Sequence, residues 1–257
     1  MEPIFRVDGN RVVTSADAAG PWDPRMQHGS APAALVVWAA EGVPTPVPMR
    51  IARITIDLMR PVPVAPLTVE REVLREGRKI QLCGVRLLAD GVVVVSASVL
   101  KIKQQAAELP PDIAALPVEL PGPDQSMAEP GNLAGSPFVK CISMRAARGR
   151  FGQTGPGAIW FRVDRPLIAG AAVSQAMRAV VASDFSNGTS PALDFRNWTF
   201  INADLTVSMA REPVGDWVLL DGETWIGPDG AGLAMSRLAD QHGYFGRAVQ
   251  SLVIEQR

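Results

Sequence analysis

The chain has 257 residues, 47% of them hydrophobic and 20% charged, which is enough for one large domain or two smaller ones with sizeable cores. Its formal net charge of −1 gives no reason to expect nucleic acid or an anionic membrane as a partner. The basic residues are scattered and mostly arginine; the only lysines are Lys79, Lys101, Lys103 and Lys140.

The opening MEPIFRVDGN carries acids and no apolar run, so it does not read as a secretory leader. After WDPRMQHG, the Ala-rich segment SAPAALVVWAAEG (30–42) reads as a helix closed by a glycine. Residues 54–102 then alternate apolar with polar and turn at EGRK and ADG, the pattern of an antiparallel meander. From Gln104 to Pro137 seven prolines interrupt any periodicity, so the stretch reads as an extended linker. GRFGQTGPG (149–157) is glycine-rich but has neither the lysine of a phosphate-binding loop nor a dinucleotide-binding spacing, and reads as a flexible connection. A second helix is expected in AVSQAMRAVVASDFSNG (172–188), entered through DRPLIAG, followed by another run of strands with turns at GPDG and DQHG. No apolar segment reaches the roughly 20 residues needed to span a bilayer. Two cysteines, Cys83 and Cys141, make no disulfide framework. A cytoplasmic protein without membrane insertion is therefore expected.

The two parts on either side of the linker are alike. Arg60 and Arg211 both precede a Pro-Val turn or its near equivalent, and LLAD (87–90) matches RLAD (237–240), at offsets of 151 and 150. Each copy ends on a β-branched strand after a glycine. The spacing predicts a duplication, with each copy built as a helix followed by four strands, hence an α+β unit in which a sheet packs on a helix. The expected division is residues 1–103, a linker over 104–137, and residues 138–257.

Within the second helix, Met177, Val180 and Asp184 share one face. Asp184 is thus expected on the buried side and in the last turn, where the helix dipole disfavours a negative charge. A capping acid is the plain alternative; a base that takes a proton from water is the chemical one. Gln250, in RAVQSL, has the parity of Ala248, Leu252 and Ile254, so a neutral amide points into the apolar face and needs a partner. Aligning Gly91 with Gly243 sets Ser98 opposite Gln250, so the first copy lacks this amide, and one catalytic site per chain is expected. Asn202 shares parity with Asp204, Thr206 and Ser208 and reads by periodicity as solvent-facing. His28, Gly29 and Ser30 read as the turn and cap of the first helix, or as a place where backbone N–H groups polarise a carbonyl. His242 lies in a hairpin turn.

The blocks GPWDPRMQHGSAPAAL, RPVPVAPLTVEREVLREGRKIQL, SDF, NADLTVSMAREPVGDWVLLDGETWIGPDGAGLA and GRAVQSLVI resemble the double-hotdog acyl-CoA thioesterases of the medium- and long-chain type, often called thioesterase II. The resemblance covers essentially the whole chain. It implies a tandem hotdog, α+β, with two antiparallel sheets each wrapped on a long central helix. It also implies hydrolysis of acyl-CoA to free acid and CoA by base-activated water. The family's water-activating set is an Asp, a Thr or Ser, and a Gln. Asp184 and Gln250 match the first and last, and the hydroxyl position falls on Asn202, a departure. On the same resemblance His28 and Gly29 become substrate-binding residues, no metal or redox cofactor is implied, and a homodimer or higher homo-oligomer is expected.

Two other functions stand beside this one. A non-catalytic hotdog that binds acyl-CoA would fit the departure at Asn202. An enoyl-CoA hydratase needs a His with an acid at a helix start; only His28 could serve, and no acid is spaced to pair with it. The sequence has no H-E-x-x-H or Cys/His metal spacing and no G-x-S-x-G elbow.

Overall fold

The structure, a computed structural model, describes residues 2–108, 110, 113, 116–130 and 135–257. The first copy opens with a hairpin, β1 (Phe5–Asp8) and β2 (Arg11–Thr14), before α1 (Ser30–Glu41) and the meander β3 (Met49–Leu58), β4 (Leu67–Glu76), β5 (Ile80–Ala89) and β6 (Val92–Lys103). The second has β7 (Met127–Ala128), β8 (Ile142–Arg148) and β9 (Gly157–Val163), then α2 (Gln175–Ser183) and the short α3 (Ser186–Thr189). It finishes with β10 (Trp198–Asn202), β11 (Asp204–Met209), β12 (Trp217–Ile226), β13 (Ala231–Asp240) and β14 (Gly243–Gln256). Each copy therefore has strands before its helix; after it the first has the four expected, and the second has five because β10 and β11 together take the place of β3. The first copy's extra strands have only four residues each, too few for alternation to be read, and in the second copy β9 is buried along most of its length and so does not alternate.

The expectation of two separate sheets is corrected. All fourteen strands belong to one antiparallel sheet, because β3 and β11 pair across the middle. Each would otherwise be a bare edge with a row of unpaired N–H and C=O groups. Thr55 faces Thr206 at the centre of that seam, 3.4 Å between hydroxyls. The sheet wraps α1 and α2, which pack on each other. Ten of the twelve residues of α1 are buried, as its apolar composition on all sides requires, and Pro32 sits in the first turn where its missing N–H costs nothing. The second central helix is shorter than expected: α2 stops at Ser183 and the chain turns through Asp184 and Phe185 before α3.

The ladders make the duplication explicit. Thr55–Ser98, Cys83–Val99 and Leu87–Val95 in the first copy recur 151 residues later as Thr206–Val249, Ala234–Gln250 and Leu238–Gly246. The irregularity after Leu87 recurs after Leu238. Gln250 is therefore opposite Val99, one residue from the expected Ser98, and the LLAD–RLAD match is likewise one residue out of register. The conclusion drawn from it survives, since Val99 supplies no amide.

The segment 104–137 is less plain than its prolines suggest, although Leu109, Pro111, Asp112, Ala114, Ala115 and residues 131–134 lie outside the described residues. Pro123–Gln125 forms a helical turn and Met127–Ala128 pairs with β8. Val118 and Leu120 pack near Trp160, whose Nε1–H donates to the Pro121 carbonyl at 2.9 Å. Among the described residues no helix is long and apolar enough to cross a membrane.

Candidate active site

Asp184 is the C-cap of α2, 5% exposed, with its backbone N–H still bonded to Val180 O at 3.3 Å. Its carboxylate faces the opposite helix. His28 Nδ1 lies 2.9 Å from Oδ2, and Ser30 Oγ lies 3.1 Å from the same oxygen. Asn202 Nδ2 donates to Oδ1 at 3.1 Å, and Gln250 Nε2 reaches Oδ1 at 3.4 Å and the Asp184 carbonyl at 3.3 Å. The five residues singled out in the sequence thus meet at one carboxylate, Gly29 included. A Cβ on Gly29 would sit 2.6 Å from Oδ1 and 2.9 Å from Oδ2, so only glycine lets the start of α1 approach this closely.

This geometry answers the objection of the dipole. Asp184 stands at the unfavourable end of its own helix but against the first turn of α1, where N–H groups point outward and favour negative charge. The two copies complement one another: the end of one helix abuts the beginning of the other.

The parity of Asn202 fails for a local reason. Asn202 pairs with Leu252, yet Thr206 pairs with Val249, so β10–β11 carries one residue more than β14 over this span. That extra residue at Ala203 is a bulge, which reverses the phase and turns Asn202 inward. The Asp204 carboxylate accepts from Ser251 N–H at 2.6 Å beside it. The first copy has the same irregularity between Ile51 and Arg53, but Ile51 stands at the position of Asn202. Gln250 is fully buried and bridges two segments, its Oε1 accepting from Asn187 N–H at 3.3 Å. In the first copy the place of Leu252 is taken by Lys101, whose buried ammonium donates to Val43 O at 2.8 Å and whose pKa burial pushes down.

A cavity of about 860 Å³ opens onto Asp184, lined from the first copy by His28, Gly29 and Leu58 and from the second by Phe151, Phe185 and Asn202, among others. His28 is stacked on Phe138 at 5.1 Å and lies tilted against Phe185 at 4.6 Å. Three contributors are not legible as functional in the sequence. Phe151 comes from the loop 149–157, read as a mere connection, and its ring rests where a Cβ on Gly188 would lie 2.6 Å from it. Trp22 and Phe195, with rings 5.9 Å apart, build a second aromatic wall. At the mouth stand Arg60 and Arg257, the latter over the Trp22 ring at 5.2 Å. Arg211, the counterpart of Arg60, is instead held by Asp240 at 2.5 and 2.8 Å. Burial alone would raise the Asp240 carboxyl. The bonds from Arg211 and from the N–H groups of Val214 and His242 outweigh it and hold the pKa below the ordinary aspartate value. Ala89 stands at the equivalent position in the first copy, so no such partner pins Arg60.

Comparison with known proteins agrees with this organisation in two halves. Residues 18–102 match the acyl-CoA thioesterase N-terminal domain, and residues 114–254 match the acyl-CoA thioesterase C-terminal domain. The chain belongs to the acyl-CoA thioesterase family. It is a thioester hydrolase with acyl-CoA as its substrate class. Among solved structures, a hotdog-fold protein of Alicyclobacillus acidocaldarius is 17% identical with a TM-score of 0.75, covering 98% of this chain and 95% of that one. An acyl-CoA thioesterase II of Mycobacterium marinum is 16% identical with a TM-score of 0.68, covering 98% and 95%. A tesB protein of Mycobacterium avium is 17% identical with a TM-score of 0.68, covering 97% and 95%. At these identities the likeness is one of fold, and that fold is the hotdog. No curated protein matches the chain.

The structure also corrects one argument from the sequence. The chain spaces no acid to pair with His28 by pattern; Asp184 supplies one from the other copy, a pairing that no spacing along the chain can reveal.

Proposed function

We propose that this thioesterase hydrolyses acyl-CoA at the seam between its copies, with a water molecule activated by the charge of Asp184. The supporting observation is the convergence of His28, Ser30, Asn202 and Gln250 on that one carboxylate at the wall of an apolar cavity. The acyl chain fits the space between the Trp22–Phe195 and Phe151–Phe185 walls. The thioester carbonyl meets the start of α1, where the Gly29 N–H donates to no described residue and can polarise the oxygen as charge develops. Asn202 takes the place of the family's hydroxyl, since its amide can both donate to the carboxylate and accept from water. Gln250 is too deep to touch substrate and fixes the carboxylate from behind. Arg60 and Arg257 at the mouth are placed to meet the phosphates of CoA. One site per chain, a homo-oligomeric state and a cytoplasmic location belong to the same reading.

Release of CoA from a panel of acyl-CoAs, short to long and branched to aromatic, tests it. Turnover to free acid and CoA supports hydrolysis and reports the chain length; acyl-CoA bound without turnover supports a carrier. The His28–Asp184 contact favours one second reading, addition of water to an enoyl-CoA. Enoyl-CoA in the same panel decides it, by loss of conjugated-thioester absorbance without release of CoA.

A further inference from the structure

Asp184 is crowded. A carboxylate offers about four lone-pair sites. Here Oδ1 faces Asn202 Nδ2 and Gln250 Nε2, and Oδ2 faces His28 Nδ1 and Ser30 Oγ. Ser30 can also give its one proton to Val181 O at 3.0 Å, but its oxygen fills that side of Oδ2 either way. Little room is left on either oxygen for the proton of an attacking water.

His28 does have room. A nitrogen lone pair 2.9 Å from a carboxylate oxygen would be repelled, so Nδ1 carries a proton and donates it to Asp184. Ser30 N–H also points at Nδ1 from 3.2 Å, a longer and uncharged contact that yields to the carboxylate. With Nδ1 protonated, Nε2 of the neutral ring is a lone-pair base. No described residue hydrogen-bonds it, and His28 lines the cavity with 11% of its side chain exposed. Phe138 stacks on the ring and Phe185 packs against it at a tilt of 32°, which restricts its rotation and so the direction of Nε2.

We propose that His28 Nε2 takes the proton of the attacking water and returns it to the departing sulfur, with Asp184 orienting the ring and balancing its positive charge. The proposal rests on the hydrolytic reading above and names the atom that moves the proton. The water oxygen bonds to the thioester carbon, its proton passes to Nε2, and the carbonyl π pair moves onto oxygen. Collapse restores the carbonyl and breaks the carbon–sulfur bond; sulfur leaves with the bonding pair and takes the proton from Nε2. The products are a carboxylic acid and a thiol, and His28 ends neutral as it began.

His28→Asn separates this role from a structural one. The asparagine amide can keep the Nδ1-like donor to Asp184 but cannot accept a proton at the Nε2 position. The expected result is a fall in kcat of about 10²–10⁴-fold with KM and melting temperature near those of wild type. In His28→Ala, added imidazole can occupy the slot between Phe138 and Phe185, and should raise the residual rate by about tenfold or more. A His28→Asn enzyme within about threefold of wild type, under the same general-base reasoning, overturns the proposal and leaves hydrolysis standing with Asp184 as the direct base. If His28→Asn does not fold, absence of imidazole rescue in His28→Ala overturns it instead. Failure of wild type to release CoA from any acyl-CoA marks failure of the hydrolytic reading itself.

Discussion

Gly29→Ala adds a single methyl group at the closest approach between the two copies. Gly29 has ordinary right-handed helical dihedrals, φ −57° and ψ −28°, so alanine is not strained in its backbone. The conflict is wholly steric. The new Cβ would lie 2.6 Å from Asp184 Oδ1 and 2.9 Å from Oδ2. Carbon contacts are comfortable only at about 3.5 Å or more, so the carboxylate or the start of α1 must move by the better part of 1 Å. Asp184 cannot swing away cheaply, being short, buried and held by donors on both oxygens. Overpacking of this kind costs about 1–3 kcal/mol of stability. A displacement of about 1 Å at a catalytic group costs on the order of 10²-fold in rate. The expected variant is folded, melts several degrees lower, and releases CoA at about a hundredth of the wild-type kcat, the same loss in geometry applying. Steady-state CoA release beside thermal unfolding measures both. Wild-type kcat in a folded Gly29→Ala protein would refute the idea that the Asp184–Gly29 contact sets the catalytic geometry.

Other outcomes follow from single contacts. Gln250→Leu fills the same buried space but strands Asn187 N–H and loosens Asp184; it should lower stability by about 1–3 kcal/mol and reduce kcat, read by denaturant unfolding and CoA release. Because the folded Asp240 carboxyl titrates below the unfolded one, its stabilisation is complete above the unfolded-state pKa and is lost as pH falls through the lowered folded value. Asp240→Asn should therefore melt lower than wild type at neutral pH, by the equivalent of about 1.5–3 kcal/mol, and the gap should close in acid below the ordinary aspartate range. Arg60→Ala should raise KM for acyl-CoA several-fold and weaken its salt dependence. The same change should leave KM for the matching acyl-pantetheine, which lacks the nucleotide phosphates, unaltered.

Much of the fold is legible in the chain itself. The α1 helix runs over Ser30–Glu41 as its composition predicts, and the two meanders fall where alternation and turns put them. The duplication is legible too, although tetrapeptide similarity mis-sets the register by one residue where the ladders show 151. What is missed is non-local. One continuous sheet forms because β3 and β11 satisfy each other's edges, a pairing that neither copy encodes alone. The bulge at Ala203 turns Asn202 inward against its apparent parity, and alternation cannot announce its own interruption. His28 meets Asp184 across two helices whose ends are distant along the chain. Asp184 itself was visible as an anomaly, an acid on an apolar face at the wrong helix end. The reason for it, the start of α1 facing it, exists only in three dimensions.

The most direct test of the account is CoA release by wild type beside Asp184→Asn. The asparagine keeps the shape and much of the hydrogen bonding but removes the charge on which water activation, directly or through His28, depends. The account predicts ready turnover by wild type and a loss of about 10³-fold or more in a variant that still folds and still binds acyl-CoA. Comparable turnover by both proteins would contradict it and move the chemistry away from this carboxylate.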